Sequence, residues 1–273
     1  MFKKILTTIV FFYITLISFA QMSPVVPNSI AVSNTSTAVL DEWNAFQNVT
    51  ALAHVNKLEV ATQYENKFMI PELGTGSVQA GFNAKYINVG FSYSYQGYSL
   101  YNEMIAGVGL ARNFGDKFSM GLQFNYYTAY FSAKEESRYR GTVVGQLGVV
   151  AHITPKLIVG FHSFNPFQTN IKTEYSEKVV PSIYSFGSNY AFNKNFRWLM
   201  QVDKEVSTDF RFASSFEYTM IDALTFRLGA SSSEYLIPTF GFGVHLGRFH
   251  INLNGELHPI LGFNSMANLK YKF

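Results

Sequence analysis

Phe263-Asn264-Ser265-Met266-Ala267-Asn268-Leu269-Lys270-Tyr271-Lys272-Phe273 closes the chain, and from Ala267 on its residues alternate between apolar and polar. On a strand, such alternation places Ser265, Ala267, Leu269, Tyr271 and Phe273 on one face and Asn268, Lys270 and Lys272 on the other. A soluble protein gains nothing from an exposed edge strand that ends on Phe. A transmembrane β-barrel does, because its last strand pairs with its first and every second residue faces lipid. The expected partner is the strand that starts near Lys57, where Glu59 and Glu65 share the inward face and could offset the lysines.

Composition points the same way. The chain has 273 residues, of which 17% are aromatic and only 14% charged. Soluble domains carry about 25% charged residues. After the N-terminus no stretch reaches the roughly 18 apolar residues that a membrane helix needs. The formal charge of +3 gives no electrostatic case for a nucleic-acid partner. No Cys is present, which excludes disulfides, thiolate metal sites, a cysteine nucleophile and a lipoprotein anchor.

Residues 1–20 are expected to be a secretory leader. Lys3 and Lys4 are its positive end, residues 5–19 its apolar middle, and Ser18-Phe19-Ala20 its small-x-small cleavage site. Residues 21–56 differ from everything after them. The stretch 29–53 is rich in Ala, Ser, Thr and Asn, with Asp41, Glu42 and Trp43 in the middle. It is expected to be a short helical or irregular hatch rather than a membrane strand.

From Lys57 to Phe273 the period is two. Ile87, Val89, Phe91, Tyr93 and Tyr95 share one face, while Asn88, Gly90, Ser92 and Ser94 share the other. Phe249, Ile251, Leu253 and Leu257 oppose His250, Asn252, Asn254 and Glu256 in the same way. Short breaks near residues 84–86, 113–117, 153–156, 193–195, 221–223 and 247–248 alternate with mostly longer ones at 66–75, 96–102, 131–141, 165–181, 231–238 and 258–264, with 205–209 as the one short member of the second set. A barrel with short periplasmic turns and longer outer loops has this pattern. The breaks delimit about fourteen antiparallel strands. An even count puts both termini on the periplasmic side. The longest loop, 165–181, carries Lys172, Glu174, Glu177 and Lys178 and is expected to be the part most open to outside contacts.

The inward face carries charge. Phe196-Arg197-Trp198, Phe210-Arg211-Phe212 and Phe226-Arg227-Leu228 each set an Arg between two apolar residues. On strands those Arg point inward, and Asp203 and Glu217 have the same parity. With hairpins near Ser207 and Asp222, Arg197 and Arg227 flank Glu217, and Asp203 faces Arg211. The five form either a charged constriction or an ion-pair network that braces the lumen. Paired charges leave little net field for selecting a solute, which favours bracing. His152, His162, His245 and His250 also face inward, on separate strands and without ligand-like spacing, so they read as isolated polar lining. The lining nearest the C-terminus is His245, His250, Asn252, Asn254 and Glu256. Gly107, Gly109, Gly241 and Gly243 sit within strands, where they make room in a curved sheet.

No catalytic signature appears: no G-x-S-x-G, no H-E-x-x-H, no P-loop and no dinucleotide-binding glycine pattern. Neither an enzyme, a metal nor a cofactor is expected.

Residues 29–53 also carry a resemblance. Ser29-Ile30-Ala31-Val32-Ser33, Ser36-Thr37-Ala38-Val39, Asp41-Glu42-Trp43-Asn44-Ala45-Phe46-Gln47-Asn48 and Ala51-Leu52-Ala53 resemble the region before the first strand of FadL-type and PorV/PorQ-type outer-membrane proteins. Val49-Thr50 stands where those proteins have Pro after Asn48. The strand exit Phe164-Asn165-Pro166 and the segment His258-Pro259-Ile260-Leu261-Gly262 are similar to theirs as well. The resemblance implies a fourteen-strand barrel in the outer membrane with a hatch that includes Asp41, Glu42, Trp43 and Asn48. It implies one of two roles. FadL-type proteins move hydrophobic molecules passively, with lateral release through the wall. PorV-type proteins take part in type IX secretion and would bring secretion-system partners. Besides outer-membrane lipid, the expected partner is thus a hydrophobic small molecule or the secretion machinery.

Overall fold

The structure is a computed structural model that describes residues 25–273 except 30, 42, 133–136, 173–176 and 233. The expected leader, residues 21–24 of the hatch, and Glu42 lie outside the described residues.

Fourteen antiparallel strands form one closed barrel. They are β1 (Leu58–Asn66), β2 (Gly74–Asn83), β3 (Asn88–Gly97), β4 (Tyr101–Phe114), β5 (Phe118–Ser132), β6 (Ser137–Thr154), β7 (Leu157–Phe164), β10 (Ile183–Ala191), β11 (Phe196–Glu205), β12 (Phe210–Ile221), β13 (Leu224–Ser232), β14 (Leu236–Leu246), β15 (Phe249–His258) and β16 (Gly262–Lys272). Two short strands, β8 (Ile171–Lys172) and β9 (Glu177–Lys178), pair within the loop between β7 and β10. Strand β16 pairs with β1, from Glu59↔Lys272 to Asn66↔Ser265, so the closing strand seals the sheet and removes its edge. Among the described residues no helix is long and apolar enough to cross a membrane.

The alternation decides which way side chains point. Phe91, Tyr93 and Tyr95 of β3 are exposed on the outer face, while Ser92, Ser94 and Gln96 are buried within. On β16, Leu269 is exposed, whereas Asn264, Asn268 and Lys270 are buried. The expected offset of a lysine by a glutamate is seen at Glu59. Lys272 Nζ stands 3.8 Å from Glu59, but Glu65 pairs in register with Met266 and is taken by Asn28 of the N-terminal segment.

The connections depart from the expected short-long pattern. At one end the turns are short, as at 155–156, 222–223 and 247–248. At the other end several expected loops are mostly strand: only 98–100 separate β3 from β4, and only 259–261 separate β15 from β16. Strands β4 to β6 run 14, 15 and 18 residues, more than the roughly 9–11 that span a bilayer. The backbone ladder continues as long as each strand has a neighbour, whatever the hydropathy of its side chains. The described part of the 165–181 loop is mixed: Phe167, Lys172, Glu177 and Val179 are exposed, while Ile171 and Val180 are fully buried in a cluster that includes Val25 and Tyr127.

The lumen is filled by residues 25–57. This segment forms 3-10 turns at Val32–Asn34 and Val49–His54 and is otherwise irregular. Glycines on the wall make its bed. Gly81 and Gly90 are register partners, and a Cβ on either would come within 2.7 or 2.8 Å of the Trp43 ring. A Cβ on Gly121 would lie 2.9 Å from the Val49 carbonyl, and one on Gly160 would strike the Thr37 carbonyl oxygen. Gly81, Gly90, Gly121 and Gly160 thus make room for the N-terminal segment, while Gly107 and Gly243 make room for side chains of the wall itself.

Gly160→Leu should therefore unseat the segment at Thr37, with a loss on the order of 1–3 kcal/mol from overpacking. Gly76→Ala, which meets nothing within 4 Å, is the control. Limited proteolysis of the folded barrel should cut within residues 31–55 in the first variant and spare the second. Equal protection in both would show that the close approach is not a constraint.

Candidate functional site

The candidate site is the contact between the N-terminal segment and the inward wall. The segment's backbone is irregular, so its N–H and C=O groups need partners from elsewhere. Wall amides supply them. Gln79 accepts from Ala45 N at 2.9 Å and donates to the Trp43 carbonyl at 2.7 Å. Asn88 donates to the carbonyls of Leu52 and Val55, each at 2.7 Å. Gln201 accepts from Thr37 N at 3.0 Å, and Gln63 donates to the Asn28 carbonyl at 2.8 Å. Glu65 receives both the backbone and the side-chain N–H of Asn28. Gln63, Gln79 and Gln201 escaped the sequence reading, and Asn88 and Glu65 were placed inward without this role, although inward parity on polar-alternating strands was the signal.

Within the segment, Asn48 is the organiser. Its Oδ1 caps the second 3-10 turn by accepting from Thr50 N at 3.0 Å, and its Nδ2 donates to the Thr37 carbonyl at 2.9 Å. Trp43 is buried on Gly81 and Gly90. Asp41 reaches the wall, where it bonds Arg197 at 2.8 Å. Burial, and then the neighbouring His152, hold the His54 imidazole below its ordinary pKa of 6.5.

The five wall charges expected to form one network make two arrangements at different heights. Arg197 pairs in register with Glu217, and Glu217 with Arg227. The distances are 2.7 Å from Arg197 Nη2 to Glu217 Oε1 and 2.7 Å from Arg227 Nε to Glu217 Oε2. The chain continues from Arg227 Nη1 to Asn252 Oδ1 at 2.8 Å, then from Asn252 to Asn268 at 3.4 Å, and from Asn268 to the Thr62 carbonyl at 3.3 Å. It therefore runs from Asp41 around β11, β12, β13, β15, β16 and β1. It crosses β14 over Gly243, where a Cβ would lie 3.1 Å from Arg227.

The second arrangement stands toward the opposite end. Arg211 bonds Asp203 at 2.6 Å and also the Ser33 carbonyl of the segment, while Gln201 donates to Asp203 at 2.7 Å. One network splits in two because Arg197 and Asp203 lie near opposite ends of the same strand.

The remaining lining residues face inward. His245 and His250 are not isolated: they are register partners with ring centroids 4.5 Å apart. Among the described residues no group of three or more metal-binding side chains occurs. Asn254 lies against Gly241, and Glu256 accepts from Asn264 at 2.9 Å.

Little space is left. A cavity beside Arg211, Gln201 and Phe46 has a volume of ≈ 40 Å³, and one beside Asn28, Glu65 and Glu256 has ≈ 30 Å³. Each holds only a few waters. The larger void is on the outer wall, ≈ 570 Å³ over β13 to β16, lined by Phe226, Leu228, Phe240, Leu253, Phe263 and Ala267. The outer void and the inner cavity beside Glu65 share Asn254, Ser265 and Met266 as lining, so they meet back to back through the sheet.

No family model matches the chain. No curated protein matches it either. Solved structures do match in fold. A loop-deletion mutant of the TodX monoaromatic hydrocarbon channel aligns at a TM-score of 0.69 and 11% identity, covering 92% of this chain and 100% of that one. The Pseudomonas putida toluene transporter TodX aligns at 0.62 and 10%, covering 83% and 92%. A Pseudomonas aeruginosa FadL homologue aligns at 0.59 and 11%, covering 88% and 96%. The chain thus has the fold of FadL-type outer-membrane channels. These structures lend no support to the secretion reading.

Arg211→Glu sets a second carboxylate against Asp203 and releases the Ser33 carbonyl. Refolding yield and heat resistance of the barrel, read from its heat-modifiable gel migration, should both fall. An unchanged yield and resistance would show that the pair braces nothing.

Proposed function

We propose that this barrel, built on the fold of FadL-type channels, is a non-enzymatic outer-membrane transporter that passes small hydrophobic solutes without energy input. Residues 21–56 act as its hatch, both termini face the periplasm, and residues 1–20 are the leader that exports it. The observation that carries this reading is the ≈ 570 Å³ apolar depression on the lipid face of β13 to β16, which backs onto an inner cavity beside Glu65. The described residues of the segment fill much of the lumen, and the two cavities beside them have volumes of only ≈ 40 and ≈ 30 Å³, which disfavours a hydrated ion or sugar. On the lipid side, the ≈ 570 Å³ apolar void abuts the inner cavity at Asn254, Ser265 and Met266. Of the solutes weighed, an apolar one loses least by leaving through such a wall, because its transfer into hydrocarbon is favourable.

The same geometry gives the wall charges a structural role. Asp41, Asp203 and Glu217 each pair with an arginine of the wall, so these charges leave little uncompensated field of their own. Asp41–Arg197 and Arg211–Ser33 join hatch to wall and set how firmly it is seated.

The test uses a Gram-negative host without a hydrophobic-solute channel of its own. Expression should raise uptake of a hydrophobic dye through the outer membrane, while the purified protein gives no ionic conductance in planar bilayers. Ser265→Trp, which fills the outer void, should return uptake to the empty-vector level with heat-modifiable migration intact. Uptake no greater than the vector control, or steady ionic conductance from the wild type, would overturn the reading.

A further inference from the structure

Three connections at the loop end meet on one imidazole. His258 is the last residue of β15, and its ring centroid stands 6.1 Å from that of Phe68 in the 67–73 connection, at an interplanar angle of 82°. Tyr235, in the connection between β13 and β14, lies on the same ring at 5.8 Å and 61°. The third connection is the turn that follows His258. Nδ1 of the ring accepts from the backbone N–H of Ile260 at 3.3 Å and of Leu261 at 3.1 Å. A backbone N–H can only donate, so Nδ1 carries no proton in this arrangement and the neutral ring keeps its proton on Nε2.

The 67–73 connection needs such a hold. Phe68 and Met69 are consecutive residues at φ 57° and 58°, a left-handed conformation that side chains rarely adopt. None of Lys67, Phe68 and Met69 is buried, so specific contacts rather than packing keep the backbone there. One contact is the edge of the His258 ring on Phe68. The other is Asn264, whose Oδ1 accepts from Phe68 N at 2.7 Å while its Nδ2 donates to Glu256 at 2.9 Å. Asn264 also lines the inner cavity beside Glu65, so a shift of the connection reaches that cavity.

We infer that His258 is a proton-operated latch of the loop-end rim: when neutral it holds the 259–261 turn and the strained Phe68–Met69 backbone, and when protonated it releases both. A proton on Nδ1 removes the acceptor for Ile260 and Leu261 and sets a donor against two donors. As the turn opens, the ring leaves Phe68 and Tyr235, and the left-handed pair relaxes. Imidazole is the side chain whose charge ordinarily changes between about pH 5 and pH 8. The titratable groups on the surrounding elements are Glu256 on β15, Glu65 on β1, Lys67 and Glu72 on the 67–73 connection, and Glu234 and Tyr235 between β13 and β14. Strand β16 brings none between Gly262 and Met266. The latch goes beyond the transport reading and does not rest on it.

The test uses the absence of Cys, which lets a nitroxide be attached at a single introduced one. Met69→Cys puts the probe on the strained backbone, Ile260→Cys puts it on the turn, and Tyr86→Cys, at the opposite end of the barrel, is the control. All three positions are exposed. Electron paramagnetic resonance of each labelled protein in phosphatidylcholine nanodiscs is followed from about pH 8 down to about pH 5. The mobile fraction at Met69 and Ile260 should at least double at the acid end and stay unchanged at Tyr86. His258→Asn keeps an acceptor for the turn but loses the titration, so both probes should stay immobile throughout. His258→Ala keeps neither, and both probes should be mobile throughout. Should His258→Ala not fold, by heat-modifiable migration, the comparison with His258→Asn decides alone. Mobility that does not rise at Met69 and Ile260, that rises equally at Tyr86, or that still rises in His258→Asn would each overturn the inference, as would immobile probes in a folded His258→Ala. Failed dye uptake with this pH response intact would remove the channel reading and leave the latch.

Discussion

An irregular backbone inside a membrane barrel must find a hydrogen-bond partner for each buried peptide group, and the rest of this structure depends on that requirement. At membrane depth, non-helical backbone persists only where protein or water satisfies it. Residues 25–57 have little secondary structure of their own, so the wall supplies their partners from inward Gln63, Gln79, Asn88 and Gln201. The wall sequence therefore serves two solvents. Outward positions are aromatic and aliphatic for lipid, and inward positions are amide-rich for the hatch.

Packing and charge follow from this contact. A backbone lying against a wall needs positions with no side chain, so Gly81, Gly90, Gly121 and Gly160 fall where Trp43, Val49 and Thr37 approach. The girdle from Asp41 to Thr62 ties the hatch to six strands, and Gly243 gives Arg227 its passage over β14. Filling the lumen in this way leaves cavities of ≈ 40 and ≈ 30 Å³ beside the described residues of the hatch. On the lipid side, small outward residues such as Ser265 and Ala267 line the apolar depression.

Much of the fold was legible in the sequence because period two survives wherever one face meets lipid. The closing strand is β16, it pairs with β1, and fourteen strands close the barrel. Registers were legible where a hairpin is tight: Arg197↔Glu217, Asp203↔Arg211 and Glu217↔Arg227 all occur. Loop ends were not legible, since polarity cannot tell a loop from a strand rising above the membrane, as at β5 and β6. Contacts between the hatch and the wall were hidden for another reason. Asn28 to Glu65 and Asp41 to Arg197 join residues with no periodic relation, so they are set by tertiary approach alone. The burial of Ile171 and Val180 within the 165–181 loop belongs to the same class.

The most direct measurement is amide hydrogen exchange of the folded barrel in nanodiscs, resolved over residues 31–55. If wall amides hold the hatch, the N–H groups of Thr37 and Ala45 exchange as slowly as those of β11 and β2, to which Gln201 and Gln79 belong. Exchange at those positions at the rate of an unfolded peptide, with the strands still protected, would contradict the claim that the wall and the hatch form one hydrogen-bonded unit.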